Sequence, residues 1–111
     1  MRLFELSKTF PREEMYSLTD QVRRSSRSVS SHIAEGWRRR RYDAALCDKL
    51  NGAESEGAET QTWIEYAVRC GYLLAKDGRE LHRSYDRILG KLVKMQNNPE
   101  PWLLLRANRP K

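Results

Sequence analysis

The sequence predicts an all-α protein, an antiparallel up-and-down helical bundle of the four-helix type with a truncated first helix. Three observations lead there. Only four prolines and six glycines interrupt 111 residues, whose commonest types are Arg, Leu, Glu, Ser and Ala, a mixture that suits helices better than strands. Apolar residues recur at spacings of three and four in three successive stretches. The links between those stretches are short, which sets neighbouring helices antiparallel.

Residues 2 to 9 form at most about two turns, a stub too short to be a full bundle member. Phe10-Pro11-Arg12-Glu13-Glu14 then reads as a helix start, because proline tolerates the first turn and carboxylates favour the positive end of the helix dipole. From there Met15, Leu18, Val22, Val29, Ile33 and Trp37 fall on one stripe, with Ser25 or Ser26 filling its gap. One amphipathic helix ending near Gly36 is expected. The serines at 25, 26, 28, 30 and 31 would alternatively mark a loop, since serine competes for backbone hydrogen bonds. The periodicity runs straight through them, and small residues on a buried stripe let two helices approach closely.

Tyr42 to about Leu74 predicts a second long helix with a narrow face of Ala45 or Leu46, Leu50 or Ala53, Gly57, Thr60, Ile64, Ala67 and Gly71. Gly52 and Gly57 would each cost about 1 kcal/mol inside a helix, so a break there is the competing reading. In the third stretch Asp77 and Glu80 have the spacing of a capping box, and Leu81, Tyr85, Ile88, Leu92 and Met95 repeat as four, three, four, three. Asn97-Asn98-Pro99 stops it. The organisation is one helical-bundle domain over residues 1–98 and a tail over residues 99–111. Trp102, Leu103, Leu104 and Leu105 make that tail too apolar for water, so it should pack back on the bundle or onto a neighbouring subunit. Three long helices and a stub leave more apolar surface than they cover, and a homo-oligomer is the expected remedy.

The formal charge of +6 is unevenly distributed. Residues 21–42 hold seven arginines against Glu35 alone, whereas residues 43–66 hold Lys49 against six carboxylates. Residues 67–94 are basic again. Such alternation suggests basic helices lying against an acidic one, together with a surface for a polyanion. The N-terminus lacks the apolar run of a signal peptide, and no 18 consecutive apolar residues could cross a bilayer, so a cytoplasmic location without membrane contact is expected. Cys47 and Cys70, on one helix, would lie about 35 Å apart, too far for a disulfide.

Two blocks of residues carry a family resemblance. Phe10-Pro11-x-x-Glu14-x-x-x-Leu18-x-x-Gln21-x-x-Arg24, followed by Ser28-Val29-x-x-His32-Ile33-Ala34-Glu35-Gly36, resembles the signature of bacterial four-helix bundle proteins first noticed as products of intervening sequences inside 23S ribosomal RNA genes. Lys49-Leu50, Ala53, Glu56, Glu59-Thr60, Trp63 and Gly71-Tyr72-Leu73 are similar to one branch of that family. The chain departs from the pattern at His32, where the family usually has asparagine, and in its shortened first helix. The resemblance implies a four-helix bundle, often a ring of five, with no enzymatic activity established. A more distant relative is the accessory protein of diversity-generating retroelements, a basic pentamer that works with a reverse transcriptase and RNA.

Chemistry-bearing residues are few. Arg38, Arg39, Arg40 and Arg41 follow the predicted helix end, with Arg23, Arg24 and Arg27 earlier on the same helix, a density that can neutralise phosphates and release counterions. The competing account pairs them with the acidic 43–66 segment, and Glu56, Glu59 and Thr60 are placed to meet Arg24 or Arg27 across the bundle as a register-fixing network. His32-x-x-Glu35 shares a helical face, yet no Glu-x-x-His accompanies it and a structural histidine is expected. Cys47, Cys70, His32 and His82 match no compact zinc spacing, and no nucleophile has a base and orienter near it in sequence. The expectation is therefore a non-enzymatic homo-oligomer, a pentamer by resemblance, with no cofactor, metal or small-molecule substrate. It would bind RNA or another polyanion through Arg23, Arg24, Arg27 and Arg38 to Arg41. The alternative is a structural or protein-interaction ring.

Overall fold

The computed structural model describes residues 2–104, which form four helices: α1 Arg2–Ser7, α2 Leu18–Arg38, α3 Asp43–Arg69 and α4 Ala75–Asn97. Short 3-10 turns cover Arg12–Glu14 and Glu100–Trp102. The three long helices run up, down and up, and α3 is the middle one, packed by α2 on one side and α4 on the other. Its small residues let both partners come close. Leu46, Leu50, Ala53, Gly57, Thr60, Ile64 and Ala67 are all buried along α3.

Close approach is what the glycines supply, so neither Gly52 nor Gly57 breaks α3. A Cβ at Gly57 would lie 2.7 Å from Leu89 Cδ2 of α4, and one at Gly52 would meet the His32 ring of α2. The serine run is likewise helical. Ser25 and Ser26 are buried in α2 beside Val22 and Val29, and Thr60 Oγ1 of α3 lies 2.8 Å from Ser25 Oγ.

Several expectations need correction. The long helix starts at Leu18, seven residues after Pro11, because residues 12–14 tighten into a 3-10 turn and Ser17 adopts φ −129°, ψ −99°. Met15 consequently leaves the stripe and is exposed. At the other end Ile33 and Trp37 are also exposed, while Gly36 is buried, with its missing side chain opposite Lys49 Cβ and Leu46. At 100° per residue Gly36, not Trp37, continues the line through Val22, Ser25 and Val29 that meets α3. Gly71 lies beyond the end of α3, which closes through a glycine at φ +79°. Asp77 is not the cap of α4 either; the helix begins at Ala75 with Leu74 before it, and Asp77 instead accepts a hydrogen bond from Arg2 at 2.9 Å.

The stub α1 lies across one end of the bundle. Leu3 and Ser7 are buried, Ser7 Oγ accepts from Arg23 Nε of α2 at 2.9 Å, and Arg2 reaches α4. The connection to α2 is fastened by Phe10, whose ring lies 5.8 Å from that of Tyr72, and by the Tyr72 hydroxyl donating to Glu14. At the opposite end the tail turns back, with Leu103 against the core and the Leu104 amide donating to the carbonyl of Arg40. Leu105 and the rest of the tail lie outside the described residues. No helix among the described residues is long and apolar enough to cross a membrane.

Candidate nucleic-acid interface

The arginines of residues 23–41 fall into three environments, each set by the helical register. Arg24 points toward α3, where its guanidinium makes ion pairs with Glu56 at 3.2 Å and with Glu59. The Arg24 hydrogen bond holds the Glu59 carboxyl below the ordinary carboxylate range, assisted by Trp63 Nε1, which donates to the same oxygen at 3.2 Å. This is the register-fixing contact expected between the basic and acidic helices, and it uses Arg24 rather than Arg27.

Arg23 and Arg27 lie about one turn apart on the α1 side, with their guanidinium carbons 4.5 Å and 5.5 Å from the centre of the Phe4 ring. Cation–π contact fixes these groups without neutralising them. Together with Arg24, Met15, Tyr16 and Asp20 they line an open cavity of about 520 Å³. Tyr16 is 90% exposed at its edge.

The four arginines at 38–41 end α2 and fill the link to α3. Arg38, Arg39 and Arg41 are exposed, whereas Arg40 folds over the Trp37 ring at 4.2 Å and donates to the Trp37 carbonyl at 2.8 Å. The neighbouring carboxylate, Glu35, is taken by Lys49 of α3 at 2.7 Å, whose hydrogen bond keeps Glu35 ionised below the usual range. Among the described residues, only Arg24 of the seven lies within ion-pair distance of a carboxylate. The fold thus gathers two groups of unneutralised arginine, at opposite ends of α2.

The other candidate groups do not converge. His32 Nδ1 lies 2.8 Å from the carbonyl of Ser28, one turn back, and its ring packs on Gly52. His82 instead faces Glu65 and Asp86 at 3.4 Å and 3.5 Å. Cys47 and Cys70 are free thiols, and burial, with Asp43 beside it, pushes the Cys47 thiol up, away from a reactive thiolate. No group of three metal-ligating side chains occurs among the described residues.

The positive charge of residues 67–94 acquires a direction only once it is phased on the helix. Phased on α4, all six of its lysines and arginines are exposed. Helical periodicity could have located this stripe, because it needs only the 100° step between residues.

Comparison with known proteins gives one family model, described as 23S rRNA-intervening sequence protein, which matches residues 1–94. No curated protein matches the chain.

Proposed function

From the premise that the chain belongs to the 23S rRNA-intervening sequence protein family, we propose that it is a non-enzymatic, oligomeric helical-bundle protein that binds RNA through its arginine-rich surface. The supporting observation is the uneven use of carboxylates. Acidic α3 spends Glu56 and Glu59 on Arg24, Glu35 is spent on Lys49, and Arg23, Arg27 and Arg38 to Arg41 keep their charge. Cations held in place by an aromatic ring or a backbone carbonyl, as Arg23, Arg27 and Arg40 are, lose little freedom when a phosphate arrives. A cytoplasmic ring of copies, five by the family resemblance, would repeat the patch around one axis and multiply its effect.

Replacing Arg38, Arg39, Arg40 and Arg41 together by Ala should abolish RNA retention on filters while leaving the melting temperature nearly unchanged. For the parent, log affinity should fall linearly with log salt, by about 0.7 per single-strand phosphate contact, and the quadruple variant should flatten that line. Contacts to phosphate position a nucleic acid without reading its bases, so little sequence preference is expected. Parallel salt lines for parent and variant, or no binding by the parent at low salt, would leave a protein-interaction ring as the better account.

A further inference from the structure

Among the described residues, the outer face of α4 carries six cations against one carboxylate, Glu80. Lys76, Arg79, Arg83, Arg87, Lys91 and Lys94 follow one another at steps of three, four, four, four and three residues, so they form a single stripe along the helix. The stripe lies opposite Tyr85, Leu89 and Leu92, which face α3, and at about 1.5 Å per residue it runs for roughly 27 Å. Of the three carboxylates of α4, only Glu80 lies on this face, beside Lys76, Arg79, Arg83 and Arg87. Asp77 and Glu80 face Arg2 at 2.9 Å and 3.7 Å, and Asp86 accepts from Gln61 at 2.8 Å beside His82. Among the described residues, none of the six cations makes an ion pair.

The stripe also contains no apolar side chain. Protein–protein interfaces need a buried apolar centre and are depleted in lysine, so this face fits a polyanion better than a protein partner. It ends, moreover, at an aromatic wall. Where the tail turns back, Trp102 with Met95 and Pro101 lines a cavity of about 530 Å³ whose other walls include Lys91 and Lys94, the last two cations of the stripe. Trp102 is 40% exposed there. A line of cations leading to an accessible aromatic ring is how proteins hold single-stranded nucleic acid, because phosphates follow the charge and an unpaired base stacks on the ring. A duplex keeps its base faces hidden.

We propose that the outer face of α4 is a track for single-stranded nucleic acid, with phosphates on the lysine and arginine stripe and a base stacked on Trp102. The ligand class rests on the RNA reading above; the residues do not, since none lies within 23–41. The test titrates the full chain with oligouridine and with an oligouridine–oligoadenosine duplex, following filter retention and tryptophan fluorescence. The triple variant Arg79→Gln, Arg83→Gln, Arg87→Gln should bind oligouridine more weakly and with a salt slope smaller by about two, at roughly 0.7 per lost contact. Trp102→Ala should weaken oligouridine binding about tenfold and remove the quench, while Trp102→Phe restores affinity without the quench. All these side chains are exposed, and a thermal melt matching the parent's confirms that each variant folds. Loss in the triple variant supports the track whatever the Arg38 to Arg41 variant does. An unchanged triple variant beside a dead Arg38 to Arg41 variant overturns the track and leaves the RNA reading standing. Equal quenching by the duplex, or undiminished quenching in Trp102→Phe, overturns the stacked base, and no binding by the parent overturns both proposals.

Discussion

At the scale of single residues, the contacts that matter most are small and buried. Thr60 and Ser25 are fully buried, their oxygens 2.8 Å apart between α3 and α2, and Thr60 Oγ1 also lies 2.8 Å from the carbonyl of Glu56. Removing the Thr60 hydroxyl leaves Ser25 only the Val22 carbonyl at 3.5 Å, whereas removing the Ser25 hydroxyl leaves Thr60 its short bond to Glu56. Thr60→Val should therefore cost about 1–3 kcal/mol and Ser25→Ala less, with the double variant costing less than their sum. Urea denaturation of the four proteins measures this, and strict additivity would show that the pair is not coupled. Trp37 continues the apolar stripe of its helix yet is 47% exposed under Arg40, while Trp63, outside the buried face of α3, is half-buried and bonded to Glu59. The difference comes from which face of each helix has a neighbour, a fact that periodicity alone does not carry.

At the scale of elements, the segment before α2 is held by side chains more than by helix packing. Glu14 accepts from Ser17 and from the Tyr72 hydroxyl, which together hold its carboxyl below the ordinary carboxylate range, while the same Glu14 bond holds the Tyr72 phenol above the ordinary tyrosine range. A depressed carboxyl contributes stability above its unfolded pKa and loses it as pH falls through the folded value. A raised phenol contributes below its unfolded pKa and loses it as pH rises through the folded value. Tyr72→Phe should thus lower the melting temperature most near neutral pH, and its difference from the parent should shrink below the carboxylate range and again in strong alkali. A difference that stayed constant across pH would mean that the hydrogen bond contributes nothing. α1 adds Leu3, with Leu6 against it, to the core that α2 to α4 share.

At the scale of the whole molecule, the described chain is an elongated layer rather than a globule. It measures 56 × 24 × 18 Å, and its radius of gyration of 16.5 Å exceeds the roughly 13 Å of a compact domain of this length. With α3 in the middle, the side between α2 and α4 is covered by α1 at one end and by the returning tail at the other. Ile33 and Trp37 lie on that same side of α2, beyond the reach of a six-residue helix about 9 Å long. Apolar surface of this kind favours association. Light scattering at micromolar concentration should give a mass several times the 13.1 kDa of one chain, and Ile33→Asp with Trp37→Asp should bring it down toward that value. A parent mass near 13.1 kDa would refute the oligomer.

The number, order and type of the helices, the serine-rich stretch as helix, and the inner face of α3 are all legible in the residues alone, because a helix writes its buried stripe into residues three and four apart. So are Glu56 and Glu59 as partners for an arginine of α2, since opposite charges on facing helices have few other places to go. What depends on neighbours far along the chain emerges only in the folded molecule. It turned Gly36 inward and left Ile33 and Trp37 out, it laid Arg23 and Arg27 on Phe4 while giving Arg24 to α3, and it brought Trp102 to the end of the α4 stripe. Local periodicity fixes which residues share a face; only the packing of one helix on another, and the shortness of α1, fixes which faces are covered and which are left for a ligand.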